Sequence, residues 1–234
     1  MFTIKKYLSE ALLAFPCPGC GEQDVDAQPN RLCDSCREQL KLIQPPICAG
    51  CGGGIDGVLE LCVKCMREEL RPWSKALSLF ELSGYGQELV QGFKYNNRPE
   101  LARALGGMIS ELFDAELDRA GWLVPVPLHW SRYCSRGYNQ SRLICRIIAE
   151  QTGITMKDLL VRRRRTKQQA KLSREQRKLN LTNAFLVKRG VNCKNRTILL
   201  FDDVITTGAT LTAAANVLLD AGASNVYIIT IGRR

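Results

Sequence analysis

The stretch Ile198-Leu-Leu-Phe201-Asp202-Asp203-Val-Ile-Thr206-Thr207-Gly208-Ala209-Thr210 leaves this chain few architectures. Four apolar residues without alternation fit a strand buried on both faces, and they run straight into two acids and a small, hydroxyl-rich turn. Leu211 to Asp220 has helical character, Gly222 closes it, and Val226 to Ile231 is a second apolar run. Strand, helix and strand within about 35 residues make a parallel βαβ unit. In such sheets the ligand crevice lies beyond the carboxyl ends of the strands, where Asp202 and Asp203 emerge. The expected fold is therefore α/β, a parallel sheet flanked by helices.

The turn has a readable chemistry. Thr206 to Thr210 offers backbone N–H groups and three hydroxyls at a helix N-terminus, a ready cradle for phosphate. Two carboxylates beside a phosphate would repel it. A ribose diol donating hydrogen bonds to the acids, or a Mg²⁺ held partly through them, removes the conflict. The pattern points to a sugar phosphate with a metal. Neither G-x-x-x-x-G-K-[ST] nor G-x-G-x-x-G occurs, which excludes the usual nucleotide loops. The plainer alternative is a strand ending in solvated acids before a Thr-capped helix.

This stretch closely resembles the signature of the type I phosphoribosyltransferases, a Rossmann-like fold that binds 5-phosphoribosyl-1-pyrophosphate (PRPP) with Mg²⁺. The resemblance implies that Asp202 and Asp203 hold the ribose hydroxyls as the catalytic acids. Thr206, Thr207, Gly208, Ala209 and Thr210 would hold the 5′-phosphate.

The other end of the chain is built differently. Eight of the eleven cysteines precede residue 66, all in C-x-x-C pairs. They form an internal repeat: Cys17-Pro-Gly-Cys20-Gly21 with Cys33-Asp-Ser-Cys36, then Cys48-Ala-Gly-Cys51-Gly52 with Cys62-Val-Lys-Cys65. Four thiolates at this spacing suit tetrahedral Zn²⁺, so two structural Cys₄ sites are expected, against redox-active dithiols as the alternative. The spacing allows sequential pairing (Cys17, Cys20, Cys33, Cys36; Cys48, Cys51, Cys62, Cys65) or an interleaved one. The glycine after each second cysteine admits a left-handed backbone that lets N–H groups face the sulfurs. Cys134, Cys145 and Cys193 have no partner at metal spacing and read as packing residues.

Pro72-Trp73 marks a boundary, giving an expected small zinc-ribbon module over residues 1–70, with an amphipathic N-terminal helix, and an α/β domain over 71–234. Met1 to Phe15 is broken by Lys5, Lys6, Ser9 and Glu10 and fits neither a signal peptide nor a membrane span, so a cytoplasmic protein is expected. Lys75 to Leu82 reads as a strand, Ser83 to Gly86 as a turn, and Gln87 to Phe93 as the start of a helix. Lys94 is either within reach of the crevice or simply exposed. Leu101 to Leu117 has helical spacing, Leu123 to Pro127 reads as a strand, and Ser141 is the expected cap of a helix ending at Gly153. The intervening loop carries His129, Arg132, Arg136 and Gly137, a composition suited to pyrophosphate. His129, the only histidine, has no evident carboxylate to orient it as a base and suits a hydrogen-bonding role in the pocket.

A dense basic stretch follows: Arg162, Arg163, Arg164, Arg165, Lys167, Lys171, Arg174, Arg177 and Lys178. It raises the net charge to +10 and suits a polyanionic partner, or else forms a solvated charged face. Without flanking aromatics it fits backbone phosphates better than stacked bases. It lies between two expected strands of the sheet, where this fold carries a flexible closing loop.

The order of parts resembles the ComF/GntX family over nearly the full chain: the cysteine finger, Val126-Pro-Leu with Arg136-Gly-Tyr-Asn-Gln-Ser141, Arg165-Thr-Lys-Gln-Gln169, and Asp202-Asp203-Val-Ile-Thr-Thr-Gly208. That resemblance implies a role in uptake or handling of external DNA, with PRPP, single-stranded DNA and DNA-uptake or recombination proteins as expected partners. It supplies no reaction. A true phosphoribosyltransferase with an unidentified nitrogenous acceptor is the alternative; a PRPP-sensing transcription regulator is disfavoured because nothing resembles a helix-turn-helix.

Overall fold

Four parallel strands form the central sheet of the computed structural model, which describes residues 15–24, 30–68, 70–128, 133, 137–163 and 184–234. The cysteine-rich half contributes strands β1 (Phe15–Pro16) and β2 (Gln23–Asp24) and the short helices α1 (Asp34–Glu38) and α2 (Val63–Arg67). The rest follows as β3 (Lys75–Glu81), α3 (Gly84–Tyr95), α4 (Leu101–Leu112), α5 (Asp114–Arg119), β4 (Trp122–Pro125) and α6 (Gln140–Thr152). Then come β5 (Leu160–Arg162), β6 (Phe185–Val187), β7 (Thr197–Ile205), α7 (Ala209–Asp220) and β8 (Asn225–Arg233). The sheet order is β3-β8-β7-β4, so the expected βαβ unit β7–α7–β8 supplies its two central strands, with Ile198 beside Val226 and Asp202 beside Thr230.

Helices cover both faces, which is why Ile198 to Phe201 lacks alternation: all four are fully buried. Leu199 and Phe201 pack with Phe93, Leu105, Ile144 and Ile148 from α3, α4 and α6. Ile198 and Leu200 pack on the other side with Leu211 and Leu218 of α7. Each such side chain contributes about 1.5–3 kcal/mol of apolar burial.

The cysteine-rich half is fastened to this sheet. β3 is an edge strand, and its outer side is taken by the segment joining the two cysteine repeats: Ile43 N–H donates to the Leu79 carbonyl (3.1 Å), and Glu81 N–H donates to the Lys41 carbonyl (2.9 Å). Ala76 N–H, near the start of β3, donates to the Ala49 carbonyl of the second repeat (2.7 Å). An open row of strand donors is thereby capped. Cys17, Leu32, Cys36 and Leu40 of the first repeat are buried in the same core cluster as Leu79 and Phe80.

Several local expectations are corrected. The turn expected at Ser83 to Gly86 is already helix from Gly84, because Gly86 lies against the Phe80 ring, 2.9 Å from an ideal Cβ, and packing overrides turn composition. The helix expected over Leu101 to Leu117 breaks at Phe113 (φ −121°), where burying both Phe113 and Leu117 redirects the chain into α5. Strand β7 does not stop at the acids but continues to Ile205 beside β8. The strands flanking the basic stretch, β5 and β6, pair antiparallel with each other and stand apart from the main sheet. Cys145 and Cys193 are buried packing residues, as expected. The N-terminal amphipathic segment before Phe15, Cys134, His129, Arg132 and Arg136, and the basic residues Arg164, Arg165, Lys167, Lys171, Arg174, Arg177 and Lys178 lie outside the described residues. Among those described, no helix is long and apolar enough to cross a membrane.

Candidate functional site

Asp202 and Asp203 are consecutive residues of β7, so their side chains leave the strand in different directions. Asp203 shares the face of Phe201 and meets α3, where Lys94 Nζ lies 3.0 Å from its Oδ2, with both side chains largely buried. The open question about Lys94 is thus answered by geometry: it stands at the acids. Asp202 Oδ1 accepts from Ser141 Oγ (3.2 Å) and from the Asp203 N–H (2.9 Å). Burial, and then the neighbouring Asp203 carboxylate, push Asp202 up to about 7, while the Asp203 N–H, Lys94 and Arg162 pull the other way.

Ser141 does not cap α6 as expected. Asn139 is the cap, its Oδ1 accepting from the Arg142 N–H (3.3 Å), and its Nδ2 donates to the Val126 carbonyl (3.1 Å). That leaves the hydroxyl of Ser141, the second residue of the helix, for Asp202. The preceding residue Tyr138 donates its hydroxyl to the Phe93 carbonyl (2.6 Å), and its ring lies 5.8 Å from the Phe93 ring. These bonds tie the end of the Gly137 loop to α3 beside Lys94. Of the residues expected to hold pyrophosphate, Gly137 is the one described, with φ +77°. Of the basic stretch, Arg162 and Arg163 are described. The Arg162 charge acts on Asp202 and its guanidinium covers the Phe185 ring at 5.2 Å, whereas Arg163 is exposed.

Beyond the acids the chain turns at Thr206 and Thr207, both exposed, and enters α7 through Gly208, which caps it with φ +74°. Among the described residues, no protein acceptor takes the N–H groups of Thr206, Thr207, Gly208 or Thr210. Ala209 N–H leans on Thr207 Oγ1 at 3.4 Å. The turn therefore presents donors without an acceptor among the described residues, at the positive end of a three-turn helix and adjacent to a pair of acids that hold a lysine. Such a set can accept from a diol and donate to a phosphate at once. One contact had no sequence signal: Arg71, just before Pro72, donates from NH1 to the Thr207 carbonyl (2.9 Å).

The cysteines fall into two groups, Cys17, Cys20, Cys33, Cys36 and Cys48, Cys51, Cys62, Cys65, so the sequential arrangement is the one formed. Within each group all sulfurs lie within 4.8 Å of one another. Neighbouring sulfurs are 3.9 Å apart for Cys17–Cys36, Cys20–Cys33 and Cys51–Cys62. A tetrahedron with Zn–S of about 2.3 Å has S···S edges of about 3.8 Å, so the donor sets fit Zn²⁺. Gly21 and Gly52 adopt φ +82° and +69°, as the repeat predicts. Backbone N–H groups reach the sulfurs, among them those of Gly19 and Cys33 on Cys17 (both 3.3 Å) and of Cys62 on Cys48 (3.2 Å). Burial raises Cys17, but those N–H groups outweigh it and bring the thiol down to about 7; burial followed by neighbouring thiols pushes Cys36 up to about 12. Crowded thiols of this kind ionise together around a cation. Tyr85 of α3 adds a hydroxyl bond to Cys36 Sγ (3.1 Å).

Comparison with known proteins agrees with both halves. Residues 8–73 match the double zinc ribbon domain and residues 139–234 the phosphoribosyl transferase domain. The chain is 30% identical to Competence protein F of Haemophilus influenzae over 87% of this chain and 91% of that protein. It is 32% identical to DNA utilization protein YhgH of Salmonella typhimurium (84% of this chain, 94% of that one) and 30% to Competence protein ComFC of Bacillus subtilis (87% and 84%). With two ribbons stitched to the edge of a phosphoribosyltransferase sheet, and relatives matching over most of their length, the chain belongs to the ComF/GntX family.

Proposed function

We propose that this chain binds PRPP·Mg²⁺ at the Asp202–Thr210 site and supports the handling of external single-stranded DNA in competence or DNA utilisation, in the cytoplasm. In this reading residues 1–70 are the ribbon module and 71–234 the phosphoribosyl-binding domain. The observation that carries the ligand is the acid pair of β7, salted to Lys94, running into a turn where the N–H groups of Thr206, Thr207, Gly208 and Thr210 have no protein acceptor among the described residues. Asp202 and Asp203 accept from the ribose hydroxyls, Thr206 to Thr210 donate to the 5′-phosphate, and Lys94 stands where the charge of the pyrophosphate and its metal gathers. His129, Arg132, Arg136 and Gly137 complete the pyrophosphate loop in this reading.

The DNA half rests on the net charge of +10, on the basic residues from Arg162 to Lys178, and on relatives named for competence and DNA utilisation. Anisotropy titration with single-stranded DNA tests it. Affinity is expected to fall steeply with salt, log K against log[salt] having a slope of roughly −0.7 per phosphate contact. Binding that is absent at low salt, or indifferent to salt, would sink it.

A transferase reading has one observation of its own. A carboxyl group titrating at about 7 is matched to proton transfer at neutral pH, and Asp202 is such a group. Pyrophosphate release with a panel of nitrogenous acceptors separates the readings.

The Asp202 shift also gives a pH prediction. Ionised, its carboxylate accepts from a diol with both oxygens and more strongly than the neutral acid, so PRPP affinity is expected to rise by up to about tenfold from about pH 6 to about pH 8 and then to level off, with proton release on binding near about pH 6.5. The folded value lies above the ordinary 3.8, so the free protein carries a stability cost above pH 7 that is relieved as pH falls toward 4. Asp202→Asn should remove both dependences. Calorimetry in buffers of different ionisation enthalpy reads the proton directly.

A further inference from the structure

The phosphate turn is braced from behind by the second ribbon. Arg71 follows α2, the last element of that ribbon, and its NH1 donates to the Thr207 carbonyl at 2.9 Å. Its NH2 is fixed by Glu68 Oε2 at 2.6 Å, with both side chains largely buried. The guanidinium lies 5.5 Å from the Trp73 ring centroid, and buried Trp73 donates its indole N–H to the Gly50 carbonyl (3.2 Å). Gly50 sits inside the Cys48–Cys51 knuckle. A continuous line of contacts therefore runs from the cysteines of the second ribbon through Trp73 and Arg71 to the turn.

The fit is close. A Cβ on Gly208 would stand 2.8 Å from Arg71 NH1 and 3.2 Å from the Trp73 ring, at a residue whose φ is +74°. Glycine is favoured there by its backbone conformation, and any side chain would also displace the Arg71 guanidinium from its place beside Trp73. The direction of the Arg71 bond also has a consequence. In a trans peptide the C=O and N–H point opposite ways. Fixing the Thr207 carbonyl toward the ribbon thus turns the N–H of Gly208 away from it. Arg71 is held by Glu68 on one side and by the Thr207 carbonyl on the other, and the second bond orients the turn.

We infer that Arg71 is a positioning residue for the phosphate turn, through which the second ribbon sets the affinity of the site for a sugar 5-phosphate. The inference rests on the proposal that Thr206 to Thr210 hold a 5′-phosphate, and its test separates the two. The chain has three tryptophans, so a Trp122→Phe, Trp130→Phe background of the full-length, zinc-loaded protein leaves Trp73 as the sole reporter. Ribose 5-phosphate and PRPP are the probes, since both carry the 5-phosphate and only PRPP carries the 1-pyrophosphate.

Arg71→Met is expected to bind ribose 5-phosphate about tenfold more weakly with two zinc ions per chain retained, and to lose PRPP affinity by the same factor. Arg71→Lys is expected to recover part of the loss. An Arg71→Met protein with its zinc in place and unchanged ribose 5-phosphate affinity would overturn the inference while leaving the phosphate site standing. A wild-type protein that binds neither probe refutes the phosphate reading, and the inference with it. A second measurement needs no substitution at Arg71: in the Trp122→Phe, Trp130→Phe background the Trp73 indole N–H resonance should shift as ribose 5-phosphate saturates. If PRPP and ribose 5-phosphate both bind and that resonance stays still, Arg71 does not link the ribbon to the site.

Discussion

Cys48→Ser should unfold the second ribbon and release one of two bound zinc ions. Cys48 is fully buried, its sulfur accepts the Cys62 N–H, and its own N–H donates to the Gly53 carbonyl (2.8 Å), so one residue joins both halves of the ribbon. Structural zinc contributes on the order of 10–16 kcal/mol to small Cys₄ modules, far beyond what packing around two short helices supplies. Loss would spread, because the Ala49 carbonyl receives the Ala76 N–H of β3 and Gly50 receives the Trp73 indole. Native mass spectrometry should show two zinc ions per wild-type chain and one in Cys48→Ser, with aggregation as the β3 edge opens. Wild-type melting that is unchanged by a chelator which has removed both ions would show that the ribbons fold without metal.

Asp203→Asn is expected to weaken PRPP binding by roughly 30- to 150-fold, the effect of losing about 2–3 kcal/mol of charge-assisted hydrogen bonding. The amide keeps one acceptor oxygen where the carboxylate has two and carries no charge, and Lys94, 3.0 Å away and largely buried, loses its counter-charge. The same orphaned lysine should cost about 1–3 kcal/mol of stability. Lys94→Met combined with Asp203→Asn restores stability without restoring affinity, which separates the two effects. Affinity within threefold of wild type in a folded Asp203→Asn protein would remove the acid pair from the site.

How far the sequence carried this follows from where each signal resides. The β7–α7–β8 unit was legible because a doubly buried strand has no alternation to hide and its turn chemistry is local. The cysteine repeat was legible as metal for the same reason, though its pairing required knowing which knuckles fold back together. Lys94 and Ser141 reach the acids only because α3 and α6 pack on one face of the sheet, and no spacing within either helix announces that. Arg71 lies 136 residues from Thr207 and was invisible as a site residue until the ribbon docked on β3. The misread turn at Ser83 to Gly86 has the same origin. Glycines that look like punctuation can instead be the places where a helix comes closest to a strand.

Whether Asp202 to Thr210 hold a phosphoribosyl ligand is decided by calorimetric titration of the full-length, zinc-loaded protein with PRPP and Mg²⁺. One saturable site per chain is expected, competed by ribose 5-phosphate and lost in Asp203→Asn. A titration with no saturable binding, or binding that Asp203→Asn and ribose 5-phosphate leave untouched, would contradict it.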